Sequence, residues 1–341
     1  MSSYLALRYI EDENSNFYPG LHHANIKPLP KEQRIPVKTP SDIDTAIRQQ
    51  LENFRDLKKG VLLSGGMDSA IAASYLRGSD AYTFRFLGGD FQREELSRAE
   101  YYAERYGLNF HYVDISWDTV TSFLAPVMKA KAAPVHSIEP HIYQAALQAQ
   151  NDGVEIMFSG ATSDLIFGGM DQLLSQDWTL DGFMKRYTFT NPSDVINEPV
   201  SMRHVFERYR TDGEMIDFLS FIADISLTEL MTSYVTTFSA AGMKYYDPYA
   251  KLIMAEPLDL QRVRNGESKY LIRALFSMKY PGVPVPEKNP MPRPVDEYFR
   301  EWPGPSRSEF RRDIDISKFT GNQKWQMYCL EKFLDMNEPK A

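Results

Sequence analysis

Residues 61–76 read VLLSGGMDSAIAASYL: an apolar run, two glycines flanked by serines, an aspartate, and then an amphipathic run. Gly65 and Gly66 let the backbone curl with its N–H groups pointing inward. Ser64 and Ser69 add hydroxyl donors, and a helix starting near Asp68 turns its partial positive charge on the same point, which suits a phosphate group. Asp68 itself is the residue type that holds a divalent cation accompanying phosphates. Taken alone, the same residues also describe a tight turn with Asp68 as a helix cap. Neither GxxxxGK[ST] nor GxGxxG occurs anywhere in the chain, so the turn is not one of the two common nucleotide loops. The arrangement recurs at residues 154–174, VEIMFSGATSDLIFGGMDQLL, where an apolar run leads into Ser159 and Gly160 and an aspartate, Asp164, follows four residues later.

The elements around these turns place them. Ser41 precedes a helical pattern in which Ile43, Ala46, Ile47, Leu51 and Phe54 share one face. GVLLS reads as a short buried strand, DSAIAASYLRG as a helix closed by Gly78, AYTFRFLG as a strand, REELSRAEYYAERYG as a helix closed by Gly107, and LNFHYVDIS as a strand. IEPHIYQAALQAQNDG is another helix, leading into the strand VEIMFSG. Strands alternating with helices of this length predict an α/β fold, a doubly wound parallel sheet covered on both faces. Both polar turns then follow strand ends, where such sheets bind ligands. From about residue 175 the pattern becomes helix-rich. The expected organisation is an N-terminal, strand-containing arm over 1–40, a nucleotide-binding core over 41–175 and a helix-rich C-terminal part over 176–341.

The SGGMDS turn resembles the loop of the PP-loop ATP pyrophosphatases, and with the second turn the chain resembles the synthetase domain of the asparagine synthetases and β-lactam synthetases. Their second loop reads approximately SGEGxDExFxGY; Ser159, Gly160, Ser163, Asp164, Phe167 and Gly169 fall on it. Glu94 and Glu95 fall on an acidic pair of that family, Asp247 in YYDPYAKLIM on its PFLD aspartate, SKYLIRALF on its KxxLR helix, and Lys288 on its catalytic lysine. The resemblance spans roughly residues 41–300. It implies that a carboxylic acid attacks ATP, that AMP and pyrophosphate are released, and that the acyl group passes to ammonia or a primary amine. It implies ATP and Mg2+ as cofactors, with Ser64, Gly65, Gly66, Asp68, Ser69, Ser159 and Gly160 on the nucleotide. Asp68 and Asp164 would hold the metal, and Lys288, Asp164 and Asp68 would form the catalytic set. The base would lie against backbone near Phe84 and Phe86, although core packing accounts for those rings equally well. Arg85 and Lys269 are candidates to reach phosphate, although isolated cations are more often surface residues.

Three departures from the family pattern stand out. Ala161 replaces the first glutamate of the second loop, Leu165 the second, and Met170 the tyrosine. Alanine neither accepts a proton nor hydrogen bonds through its side chain, so the step that handles the amine is expected to differ. HSIEPHIYQ, with His136, Glu139 and His141, is the nearest polar cluster that could supply a base. The glutaminase of the asparagine synthetases uses an N-terminal cysteine, whereas this sequence begins MSSYL and has one cysteine, Cys329. Ammonia is therefore expected free, from a separate ammonia-supplying protein, or replaced by a primary amine; an acyl-accepting protein is a further partner to consider. Two other classes stay open: a nucleotide-binding protein of the same fold that has lost catalysis, and a sulfur-transfer or tRNA-modifying enzyme.

Composition limits these options. With 341 residues, 43% hydrophobic and 25% charged, the chain can bury a substantial core. A net charge of −8 argues against a nucleic-acid partner. The sequence pattern predicts no membrane-spanning run and no secretory leader, and a single cysteine fits a reducing compartment, so a cytoplasmic location is expected.

Overall fold

The computed structural model describes residues 1–88, 92–287 and 293–337. Its centre is a five-stranded parallel sheet built from β2 (Lys59–Leu62), β3 (Asp80–Phe86), β4 (Asn109–Ile115), β5 (Ile156–Phe158) and β6 (Lys244–Tyr246), in the order β4-β3-β2-β5-β6. Two further strands, β1 (Ile35–Val37) and β7 (Leu252–Met254), pair in parallel beside it. Side chains alternate across a strand, and here both faces are apolar. Val61 and Leu63 enter one core with α2 (Pro40–Glu52), α3 (Met67–Ala73) and the helix Tyr270–Lys279. Leu62, Tyr82 and Met157 enter the opposite core with α6 (Glu139–Asn151) and the helix Leu227–Ala240. This is why the strands read as continuous apolar runs rather than alternating ones.

The strand order reverses at β2 and β5, which are hydrogen-bonded neighbours with Val61 opposite Phe158. The chain leaves β2 toward one edge of the sheet and leaves β5 toward the other. A crevice opens at the carboxyl ends of these two strands, and both sequence motifs start there.

Several local readings need correction. The first long helix is capped by Thr39, not Ser41: Thr39 accepts from the Asp42 N–H and Pro40 takes the first helical position. The arm over 1–40 does contain a strand, β1, but its first residues form a helix, α1 (Ser2–Leu7). Tyr4 and Leu5 pack with Trp325, Cys329 and Phe333 of the helix Gly321–Asn337. A helix that carried no assignment, α5 (Trp117–Lys131), follows β4 and contains Pro126. Phe218–Ala240 forms 23 continuous helical residues that include an 18-residue window of mean hydropathy 1.2, long and apolar enough by composition to cross a membrane. More than half of that window (56%) is buried inside the protein, where Leu227–Ala240 packs on α5, α6 and β6.

Candidate active site

The first loop is locked by its own hydroxyls. Ser64 N–H donates to Ser69 Oγ at 3.0 Å, Gly66 N–H donates to Ser64 Oγ at 3.2 Å, and the two hydroxyls lie 2.9 Å apart. Gly65 has no room for a side chain, because a Cβ there would sit 2.5 Å from the Glu95 carbonyl oxygen of α4 (Arg93–Tyr106). Gly160 is equally confined: a Cβ would lie 2.9 Å from the backbone carbonyl of Asp68. The glycines thus let the two loops touch, and that contact aligns Asp68 with Asp164. Asp164 opens the short helix α7 (Ser163–Ile166).

Both aspartates converge on Lys269. Its ammonium donates to Asp68 Oδ1 at 2.5 Å and to Asp164 Oδ1 at 2.7 Å. Lys269 is 1% exposed and holds a left-handed backbone conformation, φ +54°, just before the helix Tyr270–Lys279. Burial disfavours the charged ammonium, but the two carboxylates outweigh it and push the lysine above its ordinary range. Lys269 is therefore not a surface cation. Arg85 is indeed at the surface, where it pairs with Asp114 at 2.6 and 2.8 Å and stacks on Tyr112.

Two cavities share this centre. One, of about 220 Å³, is lined by Ser64, Asp68, Ser69, Phe84, Phe86, Ser159, Gly160, Ala161 and Asp164, with Gln92 and Tyr234. The other, of about 140 Å³, is lined by the first loop with Glu95, Arg98, Asp164, Lys269 and Arg273. Arg98 Nε donates to the Gly65 carbonyl at 3.0 Å, and Arg273 Nε donates to the Ser268 carbonyl at 2.9 Å. Three cations thus surround the smaller space. All the site residues expected from the sequence border one or both cavities, except Lys288, which lies outside the described residues.

The walls join residues the sequence singled out, Asp247, Ser159 and Glu95, to ones it did not, Gln92 and Tyr245. Gln92 caps the exposed edge of β3: Phe86 N–H donates to Gln92 Oε1 at 2.8 Å, and Gln92 Nε2 donates to the Phe84 carbonyl at 3.2 Å. The backbone expected to meet the base is therefore engaged by a side-chain amide. Asp247 supports the second loop from below, accepting from Thr162 N–H at 2.8 Å and Tyr249 N–H at 2.9 Å. Burial drives its carboxyl up to about 7. Ser159 Oγ lies 2.6 Å from Tyr245 Oη, fixing the start of that loop. Glu95 is also raised, by burial against the partial relief of Arg98 and the Gly65 backbone.

The cluster His136, Glu139 and His141 does not offer a base to the cavity. Glu139 is buried and accepts from Lys131 at 2.6 Å and Ser233 at 2.5 Å. His141 packs edge-on against Phe86, and burial, then Arg293, push it down to about 3. Among the described residues neither of its ring nitrogens finds a partner.

Among the described residues no group of three metal-ligating side chains gathers. That suits Mg2+, which typically takes one or two protein carboxylates and completes its shell with phosphate oxygens and water. Asp68 and Asp164 are two such carboxylates, already turned toward one cationic nitrogen.

The profile of the asparagine synthase family matches residues 41–238. No curated protein matches the chain. Among solved structures, the U34-tRNA thiolase NcsA of Methanococcus maripaludis is 10% identical with a TM-score of 0.31, over 88% of this chain and 80% of that one. NMN synthetase of Francisella tularensis is 14% identical with a TM-score of 0.30, over 74% and 100%. Glutamine-dependent NAD+ synthetase of Acinetobacter baumannii is 19% identical with a TM-score of 0.29, over 55% and 36%. At such distance none of these likenesses bears on activity.

Proposed function

The chain belongs to the asparagine synthase family, which makes it an ATP-using enzyme of the ligase type, and we propose that it adenylates a carboxylic acid and passes the acyl group to ammonia or a primary amine. The observation that carries this reading is the convergence of Asp68, Asp164 and Lys269 between the two cavities. In the reaction a carboxylate oxygen bonds to the α-phosphorus of ATP, the bond from that phosphorus to the bridging oxygen breaks, and its electron pair leaves with pyrophosphate. Negative charge grows on the leaving group, so the chain needs cations there and little else.

In this assignment the cavity bearing Arg98, Lys269 and Arg273 receives the β- and γ-phosphates. The larger cavity receives adenosine, with Gln92 and the Phe84–Phe86 edge beside the base. Mg2+ held by Asp68 and Asp164 would offset charge on the phosphates. Lys288 is assigned the remaining positive charge on the strength of its family position alone. Ala161 leaves the amine-facing wall without a carboxylate, so the amine enters as its free base. Cys329 is no source of ammonia from glutamine: it is buried, bonded to Val135, and pushed up to about 12 by burial. The reducing environment implied by a single free thiol supports a cytoplasmic setting.

The test is product identity. Purified protein with ATP, Mg2+ and a pool of acids and amines should give AMP, pyrophosphate and a new amide. ADP and phosphate as primary products would overturn the assignment. Glutamine offered without ammonium or amine should give no amide.

A further inference from the structure

A third cavity, of about 240 Å³, lies on the far side of the second loop, and its lining is mainly apolar: Leu165, Met170, Leu219, Ile222, Leu227 and Met254. Asp164 is the one residue that this cavity shares with both of the others. Three spaces therefore meet at a single carboxylate. In the proposed reaction one takes adenosine and one takes pyrophosphate, and the acid must reach the α-phosphorus between them.

Resting on that reading, we propose that the third cavity holds the body of the acid, and that the acid is a monocarboxylate with an apolar chain or ring. Two observations favour it. Leu165 and Met170 stand where the family pattern has a glutamate and a tyrosine, and both face this cavity. Two polar positions have thus become apolar in one wall, which removes the groups that would recognise a polar substrate and lowers the cost of burying hydrocarbon. Secondly, Ile222 and Ala223 belong to a π-helical turn, Ile222–Ser226, set between the helix Phe218–Phe221 and the helix Leu227–Ala240. Such a turn widens a helix and recurs at functional sites. The wall also carries Lys31 and Arg34, neither in an ion pair among the described residues, while Glu256 is bonded to Lys38 at 2.6 Å. These two cations would favour a second carboxylate on the acid, so dicarboxylates form the opposing arm of the test.

ATP–pyrophosphate exchange by the full chain tests this, with hexanoate, octanoate and phenylpropionate set against succinate, aspartate and glutamate. The apolar acids should support exchange at least tenfold faster. Ala223→Phe, which fills the cavity, should shift the preferred acid by two or more carbons toward shorter chains while the KM for ATP stays within twofold. Faster exchange with the polar acids, or an unchanged chain-length profile in Ala223→Phe, would overturn the proposal and leave the adenylation reading intact. If no acid supports exchange, that reading fails instead. Octanoate binding, measured by calorimetry without ATP, then decides the cavity: binding that Ala223→Phe abolishes supports it, and no binding to the wild type refutes it. Melting temperatures of both proteins check that the variant folds.

Discussion

Replacing Lys269 with methionine keeps most of a buried aliphatic side chain and removes its ammonium, charge and donors together. Both carboxylates bond the same nitrogen, at 2.5 and 2.7 Å, so without it two negative charges face each other at no more than about 5 Å. At an effective dielectric of about 20 their repulsion is roughly 3 kcal/mol. The two carboxylates are 25% and 33% exposed, so water screens part of this, and relief from burying an ammonium offsets part of the lost attraction. A destabilisation of about 2 to 3 kcal/mol remains, which for a chain of this size lowers the melting temperature by about 3 to 4 °C. The freed carboxylates should then bind Mg2+ without nucleotide. Magnesium at millimolar concentration should restore about half the loss in Lys269→Met, and chelator should abolish the rescue. AMP formation should fall on the order of 100-fold or more, as expected when a preorganised donor to the leaving group is removed. A melting temperature within about 1 °C of wild type and indifferent to Mg2+, or AMP formation above about a tenth of wild type, would refute the argument that this ammonium organises the site.

Asp247 makes stability depend on pH in an unusual direction. Its carboxyl titrates near about 7 when folded and near 3.9 when unfolded, so between those values the folded chain keeps a proton that the unfolded chain has released, and stability falls as pH rises through the window. Asp247→Asn removes that slope, on the order of 2 to 4 kcal/mol across the window, while giving up one backbone acceptor at Thr162 or Tyr249, worth about 1 kcal/mol; melting curves of both proteins should lie close together near pH 4, with wild type slightly higher, and separate toward pH 8, where the variant is the more stable. Parallel curves would show that burial does not hold this carboxyl protonated. Gly160→Ala places a Cβ 2.9 Å from the Asp68 backbone, a contact with main chain that yields only by parting the loops, so kcat/KM for ATP should fall about 10- to 100-fold with little change in the KM for the acid. Unchanged exchange kinetics would mean that the loops need not touch.

The carboxylate half of the site was legible because its constraints are local. Asp68 and Asp164 each follow a strand by a few residues, and Gly65 and Gly160 record in one position apiece that another segment presses on the backbone there, α4 at Gly65 and the first loop at Gly160. The strand and helix alternation is legible for the same reason, since apolar runs bounded by glycine require no knowledge of distant partners. The cationic half is different. Lys269 lies 201 residues from Asp68 and 105 from Asp164, and the residue types in SKYLIRALF do not by themselves separate a lysine aimed at two aspartates from one in water. The resemblance of this segment to the family's KxxLR helix, with Arg273 one turn on, is the signal that could have found it. Gln92 was hidden too, because a polar residue before a helix reads as a cap, whereas this one reaches back to the strand it left. In α5 the internal Pro126 interrupts the pattern that would have announced the helix.

This division follows the chemistry. Release of pyrophosphate is the same event whichever acid attacks, so the parts that serve it can be fixed in short backbone motifs, and Ser64–Ser69, with Ser159, Gly160 and Asp164 of the second loop, keep the pattern of the family. Recognition of the acid needs a surface of matching shape and polarity, assembled from the second loop, the π-helical turn and β7. Departures at Leu165 and Met170 change that surface without touching the hydrogen bonds that close the first loop. The two loops can thus stay constant while the substrate changes. Substitutions at 165, 170 and 223 should therefore alter which acid is used before they alter how ATP is bound, and the reverse order should hold at 65, 160 and 269.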